Sequence, residues 1–439
     1  MRLPVADNTL TRRQALKVLG AAGAVALGGC ASSKAGEGTA SGPQPAAGQA
    51  AGQGSGQFTS AGQAAGGDSD SASADQVVSD TPAPQTTAER LIASMTLEQK
   101  VAQMLVVTPE QLAGVDVATE AGPLTQAGLA ELPVGGVIYF GQNIEGDQQL
   151  RDMLANTVEF SRGAGAGIPV FTATDEEGGT LVARVANSGC FDVEQFPNMW
   201  WIGQEGDPTR AAYVGNSIGS YLRDIGFTLD FAPCADVLTN PENPVIGHRS
   251  FSSDPEVCAE MVSAEVKAML ATGTQPCAKH FPGHGDTQGD SHTGAVYSYR
   301  TADELHECEY VPFQAAVEAG CPFIMVGHIQ TPNAAGDGLP ATLSRIMVTE
   351  ALRGRLGFAG VVISDSMSMG AISQNYEPGD AAVRFVEAGG DCVLMSPDPW
   401  AARDGIIEAV TSGRLTEDRI NESVARIIAA KQAAGLVEA

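Results

Sequence analysis

Residues 275–292 read Gln-Pro-Cys-Ala-Lys-His-Phe-Pro-Gly-His-Gly-Asp-Thr-Gln-Gly-Asp-Ser-His, and the architecture of the chain can be inferred from this stretch. The first six residues form a short run typical of a strand, and the remainder is polar and rich in glycine. Glycine and Pro282 exclude a helix, because glycine lowers helix stability and proline lacks a backbone donor. We therefore predict a strand over 275–280 that continues into a long functional loop.

Other short apolar runs share the character of this strand, and helical segments separate them. The strand candidates lie at 105–107, 136–140, 169–173, 228–232, 276–280, 322–326, 360–364 and 391–395. The helix candidates include 97–104, 209–223, 255–272, 302–319, 344–356, 380–388, 400–412 and 416–434. Apolar strands separated by helices predict a parallel sheet covered on both faces. Seven or eight such units favour an α/β fold with a single (β/α)8 TIM-type barrel over an open sheet.

Polar residues follow most of these strands at the point where each strand ends. They are Asp175, Asp236, Lys279, His280, His328, Asp365 and Asp398. Catalytic groups of such barrels come from the carboxyl ends of the strands. The alternative is a structural role, capping the next helix. For Asp236 and Asp398 this structural role and a functional role have equal weight. For Asp175, Asp365 and the Lys279–His280 pair the unusual neighbouring sequence favours a functional role.

Two chemical interpretations fit these residues. Asp365 can act as a nucleophile or a metal ligand, and Asp290 can hydrogen-bond His292 and hold it for proton transfer. Alternatively, the ligand types in the loop could bind zinc. These ligand types are His280, His284, Asp286, Asp290 and His292. Pro282 and Gly283 lie between the first two histidines, so their rings do not share one helical face.

The first 86 residues predict export rather than a folded domain. Residues 1–29 combine a twin-arginine pattern at Arg12-Arg13, an apolar run and a lipobox-like ending before Cys30. We interpret them as a lipoprotein signal peptide, with a plain signal peptide as the alternative. Export could use the twin-arginine or the general secretory route. After cleavage Cys30 would be lipidated, and residues 30–86 would form a flexible Gly/Ala/Ser/Gln linker. The expected location is the outer face of the bacterial cytoplasmic membrane, with residues 87–439 as the catalytic barrel.

The charge of the chain excludes several classes of partner. Residues 1–29 hold four basic and one acidic residue, so the remaining chain carries a net charge of −30. Such a surface repels nucleic acid and anionic lipid, so we expect membrane attachment only through the lipid anchor. We expect a monomer. Besides Cys30 there are seven cysteines, and a surface disulfide between Cys258 and Cys308 is an open alternative.

Residues Lys279 to His292 carry a family resemblance. They fit the motif Lys-His-Phe/Ile-Pro-Gly-His/Leu-Gly-x4-Asp-Ser/Thr-His at every defined position. The chain resembles the β-N-acetylhexosaminidase (β-N-acetylglucosaminidase) branch of glycoside hydrolase family 3. The resemblance extends in the family's order over 175–179, 196–199, 231–233, 245–251, 328, 340–344 and 364–367.

The resemblance implies a retaining mechanism with a covalent intermediate on Asp365. His292, oriented by Asp290, matches the general acid/base, in place of the second carboxylate of most retaining glycosidases. The positions implied to bind substrate are Asp175, Arg184, Arg249, Lys279, His280 and His328. The family places an arginine eight residues after the position of Asp175, but Arg184 lies nine after it. Either the loop holds an extra residue or Arg184 does not reach the sugar. No metal and no organic cofactor are implied.

The expected protein is a retaining exo-β-N-acetylhexosaminidase that hydrolyses terminal β-linked N-acetylglucosamine, with its preference over N-acetylgalactosamine left open. Its substrates would be muropeptides, chitooligosaccharides or glycans. A phosphorylase or a β-glucosidase on the same scaffold and a non-catalytic glycan-binding lipoprotein are the alternatives. Gly283, Gly285 and Gly289 are expected to form a hinge that lets His292 approach the substrate.

Overall fold

The computed structural model describes residues 86–291 and 294–438. The predicted signal peptide 1–29, the predicted lipidation site Cys30 and the predicted linker up to residue 85 lie outside the described residues. His292 also lies outside them.

Eight parallel strands form a closed barrel. The described residues hold twelve strands, eight in the barrel and four in two separate pairs. In chain order they are β1 Leu105–Val107, β2 Gly136–Ile138, β3 Phe171–Thr174, β4 Glu176–Gly178, β5 Val182–Ala183, β6 Leu229–Asp230, β7 Gln275–Phe281, β8 Val296–Tyr297, β9 Phe323–Val326, β10 Ile329–Gln330, β11 Val361–Ser364 and β12 Val393–Leu394. The barrel order is β11-β9-β7-β6-β3-β2-β1-β12. The backbone N–H of Ser364 in β11 donates to the carbonyl oxygen of Cys392, just before β12, at 2.9 Å. This contact closes the barrel and confirms the predicted fold class.

Helices follow the barrel strands and cover the outside of the barrel. The α-helices are Thr87–Ser94, Leu97–Gln103, Pro109–Ala113, Pro123–Glu131, Asp147–Arg162, Met199–Gln204, Pro208–Ile225, Pro255–Thr272, Ala302–Glu307, Tyr310–Glu318, Gly370–Ser373, Pro378–Ala388, Pro399–Thr411 and Glu417–Ala433. A π-helix spans Ile346–Arg355, and short 3₁₀ turns lie at Gly141–Asn143, Ala186–Ser188, Gly247–Arg249 and Ala341–Leu343. In residues 86–291 and 294–438 we find no helix long and apolar enough to cross a membrane.

The small two-stranded pairs lie beside the barrel rather than in it. β4 and β5 form an antiparallel hairpin directly after β3, with a shift of register between Glu176 and Gly178. β8 and β10 pair in parallel. β8 comes after the loop that follows β7, and β10 comes directly after β9. Both pairs therefore belong to loops that follow the carboxyl ends of barrel strands, which is the active-site end of this fold.

One predicted helix, 302–319, is two helices in the structure. The break falls at Cys308 and Glu309, between Ala302–Glu307 and Tyr310–Glu318. The Glu309 side chain is fully buried, and its Oε1 lies 2.8 Å from Nε of Arg300. The apolar periodicity continues through this region and therefore predicts a continuous helix. The interruption accompanies a contact between the buried Glu309 and the half-buried Arg300, which periodicity does not reveal.

The helix Leu97–Gln103 begins at the capping box that the sequence predicts. The hydroxyl of Thr96 accepts from the backbone N–H of Gln99 at 3.3 Å, and the Gln99 side chain accepts from the Thr96 N–H at 2.9 Å. This reciprocal capping box starts the helix Leu97–Gln103 and satisfies two donors that the first turn would leave unpaired.

The cysteines in the described residues are all free thiols. Cys234, Cys258, Cys277, Cys321 and Cys392 are buried, and Cys190 and Cys308 are half-buried. The alternative of a disulfide between Cys258 and Cys308 is therefore not realised. Buried free cysteines act here as small apolar side chains of the core.

Candidate active site

A pocket lies at the carboxyl ends of the barrel strands. Its volume is about 340 Å³, near the lower end for small-molecule sites. The side chains that line it include Asp175, Arg184, Arg249, Lys279, His280, His284, Ser291 and Asp365. Residues separated by up to 190 positions in the chain thus meet at one site because parallel barrel strands bring their carboxyl ends together.

Asp365 directly follows β11 and faces this pocket. Its backbone N–H donates to the carbonyl oxygen of Val326 at 2.9 Å, and its Oδ1 accepts from the N–H of Ser366 at 2.7 Å. Burial alone would raise the pKa of Asp365. The imidazoles of His328 and His280 and the N–H of Ser366 lower it by more, so the pKa lies below its ordinary value. The carboxylate is therefore ionised at neutral pH, as a nucleophile must be.

A buried network of alternating charges forms another wall of the pocket. Nζ of Lys279 lies 2.7 Å from a carboxylate oxygen of Asp175 and 2.7 Å from one of Glu177. Glu177 also accepts two hydrogen bonds from Arg249, at 2.7 and 2.8 Å. Burial raises the pKa of Glu177, but Arg249 and Lys279 outweigh burial and hold it well below its usual range. Glu177 thus neutralises two cations and fixes their positions.

His280 extends this network toward the next strand. Its Nδ1 lies 2.7 Å from a carboxylate oxygen of Asp236, and its Nε2 lies 3.4 Å from Arg249. An Nδ1–H that donates to Asp236 would leave Nε2 to accept from Arg249. β7 shifts register against β9 between Ala278 and Phe281. Lys279 and His280 therefore lie at an irregularity of the strand that alters side-chain direction.

Asp236 fixes the start of the loop that follows β7. Its carboxylate accepts from the backbone N–H of His284 at 2.6 Å and from that of His280 at 3.2 Å. Burial raises the pKa of Asp236, but His280, His284 and these hydrogen bonds lower it to about 2. Of the roles that the sequence leaves open for Asp236, the structural one is correct. Asp398, the other undecided residue, caps the helix Pro399–Thr411, where it accepts from the N–H of Ala401 at 2.9 Å.

His284 lies in the pocket wall and links the two ends of the loop. Nδ1 lies 2.7 Å from the hydroxyl of Thr287, and Nε2 lies 3.2 Å from the hydroxyl of Ser291. Burial is the main cause of a lowered pKa for His284. Its imidazole is therefore neutral and positions Ser291, the residue between Asp290 and His292.

The first half of the loop is held firmly, which corrects one of its three expected hinge positions. A Cβ on Gly285 would collide with the carbonyl oxygen of Val237, and the amide of Asn243 donates to the carbonyl oxygen of His284 at 2.8 Å. Gly285 therefore permits a close approach rather than a motion. Gly289 has φ of +90°, a conformation that favours glycine, and a Cβ there would meet Val296 only at an ordinary contact distance of 3.8 Å.

The structure brings Arg184 to the pocket. It lies next to β5 in the hairpin, its backbone N–H donates to the carbonyl oxygen of Asp175 at 3.2 Å, and its guanidinium lies 5.8 Å from the ring centre of Phe140. Arg184 thus lines the pocket although it stands nine residues after Asp175 rather than eight.

His328 is buried behind Asp365 and does not line the pocket. Its Nδ1 lies 2.8 Å from the hydroxyl of Thr342, and its Nε2 lies 2.9 Å from the carbonyl oxygen of Ser366. It supports the turn that carries Asp365. A role in positioning fits this location better than the direct sugar contact that the resemblance implies.

The ligand types of the loop do not converge in the described residues. His280 and His284 have the partners given above, and Asp286 lies within 3.4 Å of Thr239, Ser298 and Arg300. In the described part of the chain, the group with ligand atoms within 4.8 Å of one another is Cys234, Asp236 and His280. Asp236 is hydrogen-bonded to both of the others: Sγ of Cys234 donates to it at 3.3 Å, and Nδ1 of His280 lies 2.7 Å from it. Asp290 is half-buried near the end of the loop.

Glu177 is the site residue whose role the sequence did not predict. Glu177→Gln should lower the free energy of unfolding by about 3–5 kcal/mol, because it leaves two buried cations with too little opposing charge. The stabilisation should be full above the unfolded carboxyl pKa of about 4.3 and decline as pH falls below it, because the folded pKa is depressed. Urea unfolding from pH 7 to pH 3 measures both effects. Glu350→Gln, which breaks an exposed pair with Arg345, is the control and should change stability by less than about 1 kcal/mol.

A barrel with an ionised carboxylate at one strand end, facing a pocket of charged and hydrogen-bonding groups, has the features of a barrel glycosidase. Residues 96–430 match the Glycosyl hydrolase family 3 N terminal domain. The chain belongs to this family.

Its relatives include proteins named as β-hexosaminidases. It is 33% identical over 326 residues to Beta-hexosaminidase A of Pseudoalteromonas piscicida, covering 68% of this chain and 53% of that protein. It is 33% identical over 339 residues to Beta-hexosaminidase LpqI of Mycobacterium tuberculosis, covering 76% of this chain and 82% of that protein. The solved glycoside hydrolase family 3 beta-N-acetylglucosaminidase from Paenibacillus sp. matches with a TM-score of 0.72 and 34% identity, over 78% of this chain and 63% of that one. The chain thus spans about half of the first relative and most of the second.

Proposed function

We propose that the protein is a retaining exo-β-N-acetylhexosaminidase that removes terminal β-linked N-acetylglucosamine. The reaction would form a covalent glycosyl-enzyme intermediate on Asp365, with His292 and Asp290 as the acid/base pair. The observation that carries the proposal is the ionised Asp365 at the end of β11, facing the pocket. Similarity to β-hexosaminidases supports the choice of sugar.

The charged network supports a role in binding sugar hydroxyls. Asp175, Arg249, Lys279 and His280 line the pocket, and buried partners hold each of them in place. Side chains held in this way can grip a sugar without reorganising, and they can align its anomeric carbon with Asp365. We assign substrate binding to these four and to Arg184.

The second catalytic group is expected from the loop after β7. Asp175, His280 and His284 line the pocket with Asp365, but each has a close protein partner. Ser291 lines the pocket, and in the sequence it stands between Asp290 and His292. This supports His292 as the proton donor, with Asp290 to orient its ring.

In the reaction, Asp365 would attack the anomeric carbon as the glycosidic bond breaks, and His292 would give its proton to the departing oxygen. Water would then attack the anomeric carbon of the intermediate and break its bond to Asp365. His292, now neutral, would take the proton of that water. The enzyme returns to its initial state after one hydrolysis. The small pocket volume supports action at a single terminal residue.

The cellular setting is a further part of the proposal. The twin-arginine pattern and the lipobox before Cys30 support export and attachment to the outer face of the cytoplasmic membrane. An exported enzyme of this class would meet muropeptides and chitooligosaccharides. Host or other glycans with terminal β-linked N-acetylglucosamine are further substrates of the same chemistry.

A panel of 4-nitrophenyl β-glycosides tests the activity. We expect kcat/KM for the N-acetylglucosaminide to exceed that for the glucoside by about 100-fold or more, because pocket groups that pair with the acetamido group lack a partner in glucose. The N-acetylgalactosaminide measures discrimination at C4. Turnover should be unchanged by a chelator and by inorganic phosphate. A preference for glucose, or N-acetylglucosamine 1-phosphate as the product with phosphate, would contradict the proposal.

A further inference from the structure

The loop after β7 has two legs that meet at its base, and the proposed reaction does not use the residues that join them. We call residues 286–288 the outgoing leg and residues 296–300 the returning leg. In the sequence, Asp290 and His292 stand between the two legs. The contacts between the legs therefore set the length of the segment that carries the proposed acid/base pair.

The carboxylate of Asp286 joins the outgoing leg to the returning leg. Its Oδ2 accepts from the hydroxyl of Ser298 at 3.3 Å, and its Oδ1 lies 3.4 Å from Nη2 of Arg300. Two residues further along the outgoing leg, Gln288 forms an antiparallel bridge with Tyr297. Separate contacts thus connect the legs, and Asp286 makes those that lie at the base.

Arg300 is itself held by a buried carboxylate outside the loop. Its Nε lies 2.8 Å from Oε1 of Glu309, whose side chain is fully buried. Burial lowers the pKa of Arg300, but Glu309 and Asp286 raise it by more, so the pKa lies above its ordinary value. The charged guanidinium therefore lies between two carboxylates, one on the loop and one at the break between the helices Ala302–Glu307 and Tyr310–Glu318.

Glu309 also packs against the start of the loop. A Cβ on Gly283 would lie 2.6 Å from Cβ and 2.5 Å from Cγ of Glu309, and Gly283 has φ of +120°. Glycine permits both this close approach and this backbone conformation. Glu309 thus contacts the start of the loop directly, and it holds the returning leg through Arg300.

Hydrogen bonds inside the loop connect its base to the pocket. The hydroxyl of Thr287, in the outgoing leg, lies 2.7 Å from Nδ1 of His284, and Nε2 of His284 lies 3.2 Å from the hydroxyl of Ser291. Ser291 lines the pocket, and its carbonyl oxygen accepts from the N–H of Ala371 at 3.3 Å. Ser291 is therefore linked both to the base of the loop and to the helix Gly370–Ser373.

We propose that Asp286 and Arg300 form a clip that closes the acid/base loop, with Glu309 as its anchor. In this role they are positioning residues for the proton transfer and make no contact with the substrate. A loop whose ends are joined samples fewer conformations than a longer open one, because closure removes chain entropy. Opening the clip should therefore place Asp290 and His292 in the reactive geometry less often. This inference rests on the proposed function.

Two substrates that differ in their need for a proton test the clip. Arg300→Ala and Asp286→Asn should each lower kcat/KM for N,N′-diacetylchitobiose roughly 10- to 100-fold, because a misplaced acid does not protonate the departing sugar. For 2,4-dinitrophenyl β-N-acetylglucosaminide, whose leaving group needs no proton, kcat/KM should change by less than about 3-fold. Arg300→Lys should keep part of the chitobiose activity, since an ammonium retains the charge but lacks the planar fork of a guanidinium.

The double variant separates a clip from two independent effects. If Asp286 and Arg300 act through each other, Asp286→Asn combined with Arg300→Ala should lose no more chitobiose activity than the more damaging single change. Arg345→Ala is the matched control, because Arg345 pairs with the exposed Glu350, and it should keep wild-type kcat/KM with both substrates. Urea unfolding is measured for each variant. Asp286→Asn, at a side chain that is 28% exposed, carries the test if Arg300→Ala does not fold.

Equal losses on the two substrates, unchanged chitobiose hydrolysis in the single variants, or additive losses in the double variant would overturn the clip. His292→Ala, assayed beside these variants, distinguishes this inference from the proposed function. A loss selective for chitobiose in His292→Ala but not in the clip variants shows that the clip alone is wrong. If His292→Ala shows no selectivity either, the proposed acid/base is wrong and the clip with it.

Discussion

Replacing Asp365 with alanine is expected to lower kcat for an aryl β-N-acetylglucosaminide by on the order of 10⁴-fold or more, since the change removes the proposed nucleophile. Asp365 is the carboxylate that lies at the end of β11 and lines the pocket, with its pKa below the ordinary value. The measurement is steady-state turnover, with circular dichroism to verify that the barrel is intact.

Chemical rescue distinguishes loss of a nucleophile from general damage. Sodium azide should restore turnover of an activated aryl glycoside by Asp365→Ala and yield the α-glycosyl azide, because a small anion can occupy the space of the missing carboxylate. Asp152→Ala, which removes an exposed carboxylate from the helix Asp147–Arg162, is the control and should keep wild-type kcat. Near-normal turnover of Asp365→Ala without azide would show that the nucleophile has been assigned wrongly.

The barrel could be predicted because its strands are buried on both faces. Short apolar runs at regular intervals suffice to identify such strands, and all eight barrel strands overlap predicted runs. The strands are shorter than the runs, as in 228–232, where only Leu229–Asp230 pairs in regular fashion. The amphipathic helix Asp147–Arg162 was absent from the predicted set, and the segment predicted as a helix at 344–356 contains a π-helix. Local pattern indicates that an element exists more reliably than it indicates its hydrogen bonding.

The pocket was predictable in its location but not in its internal pairing. A polar residue at the carboxyl end of a barrel strand lies at the active-site end of the barrel, so Asp175, Lys279 and Asp365 could be placed there from sequence. Glu177 pairs with Arg249 across 72 positions, and His280 pairs with Asp236 across 44. No local pattern encodes such distant partners. They appear only when the barrel closes, and they determine which residues are already paired and which face the substrate.

The loop after β7 is held by this network. Its first part, up to His284, receives a hydrogen bond from Asn243 and donates to Asp236. These contacts belong to the same network that holds His280. Nε2 of His284 also lies 3.2 Å from the hydroxyl of Ser291, so one histidine links the start of the loop to its last described residues.

His292→Ala should slow hydrolysis of chitobiose by roughly 10²- to 10⁴-fold, whereas 2,4-dinitrophenyl β-N-acetylglucosaminide should lose far less in the step that forms the intermediate. The sugar alcohol needs a proton to depart, but dinitrophenolate departs without one. For the wild type, kcat/KM with chitobiose should fall as pH rises through the pKa of His292, because only the protonated imidazole donates. The same parameter for the activated substrate should lack this alkaline decline, and the variant should lack it with both. His306→Ala removes an exposed histidine outside the pocket and should leave both profiles unchanged. Equal losses on the two substrates would contradict the acid/base assignment.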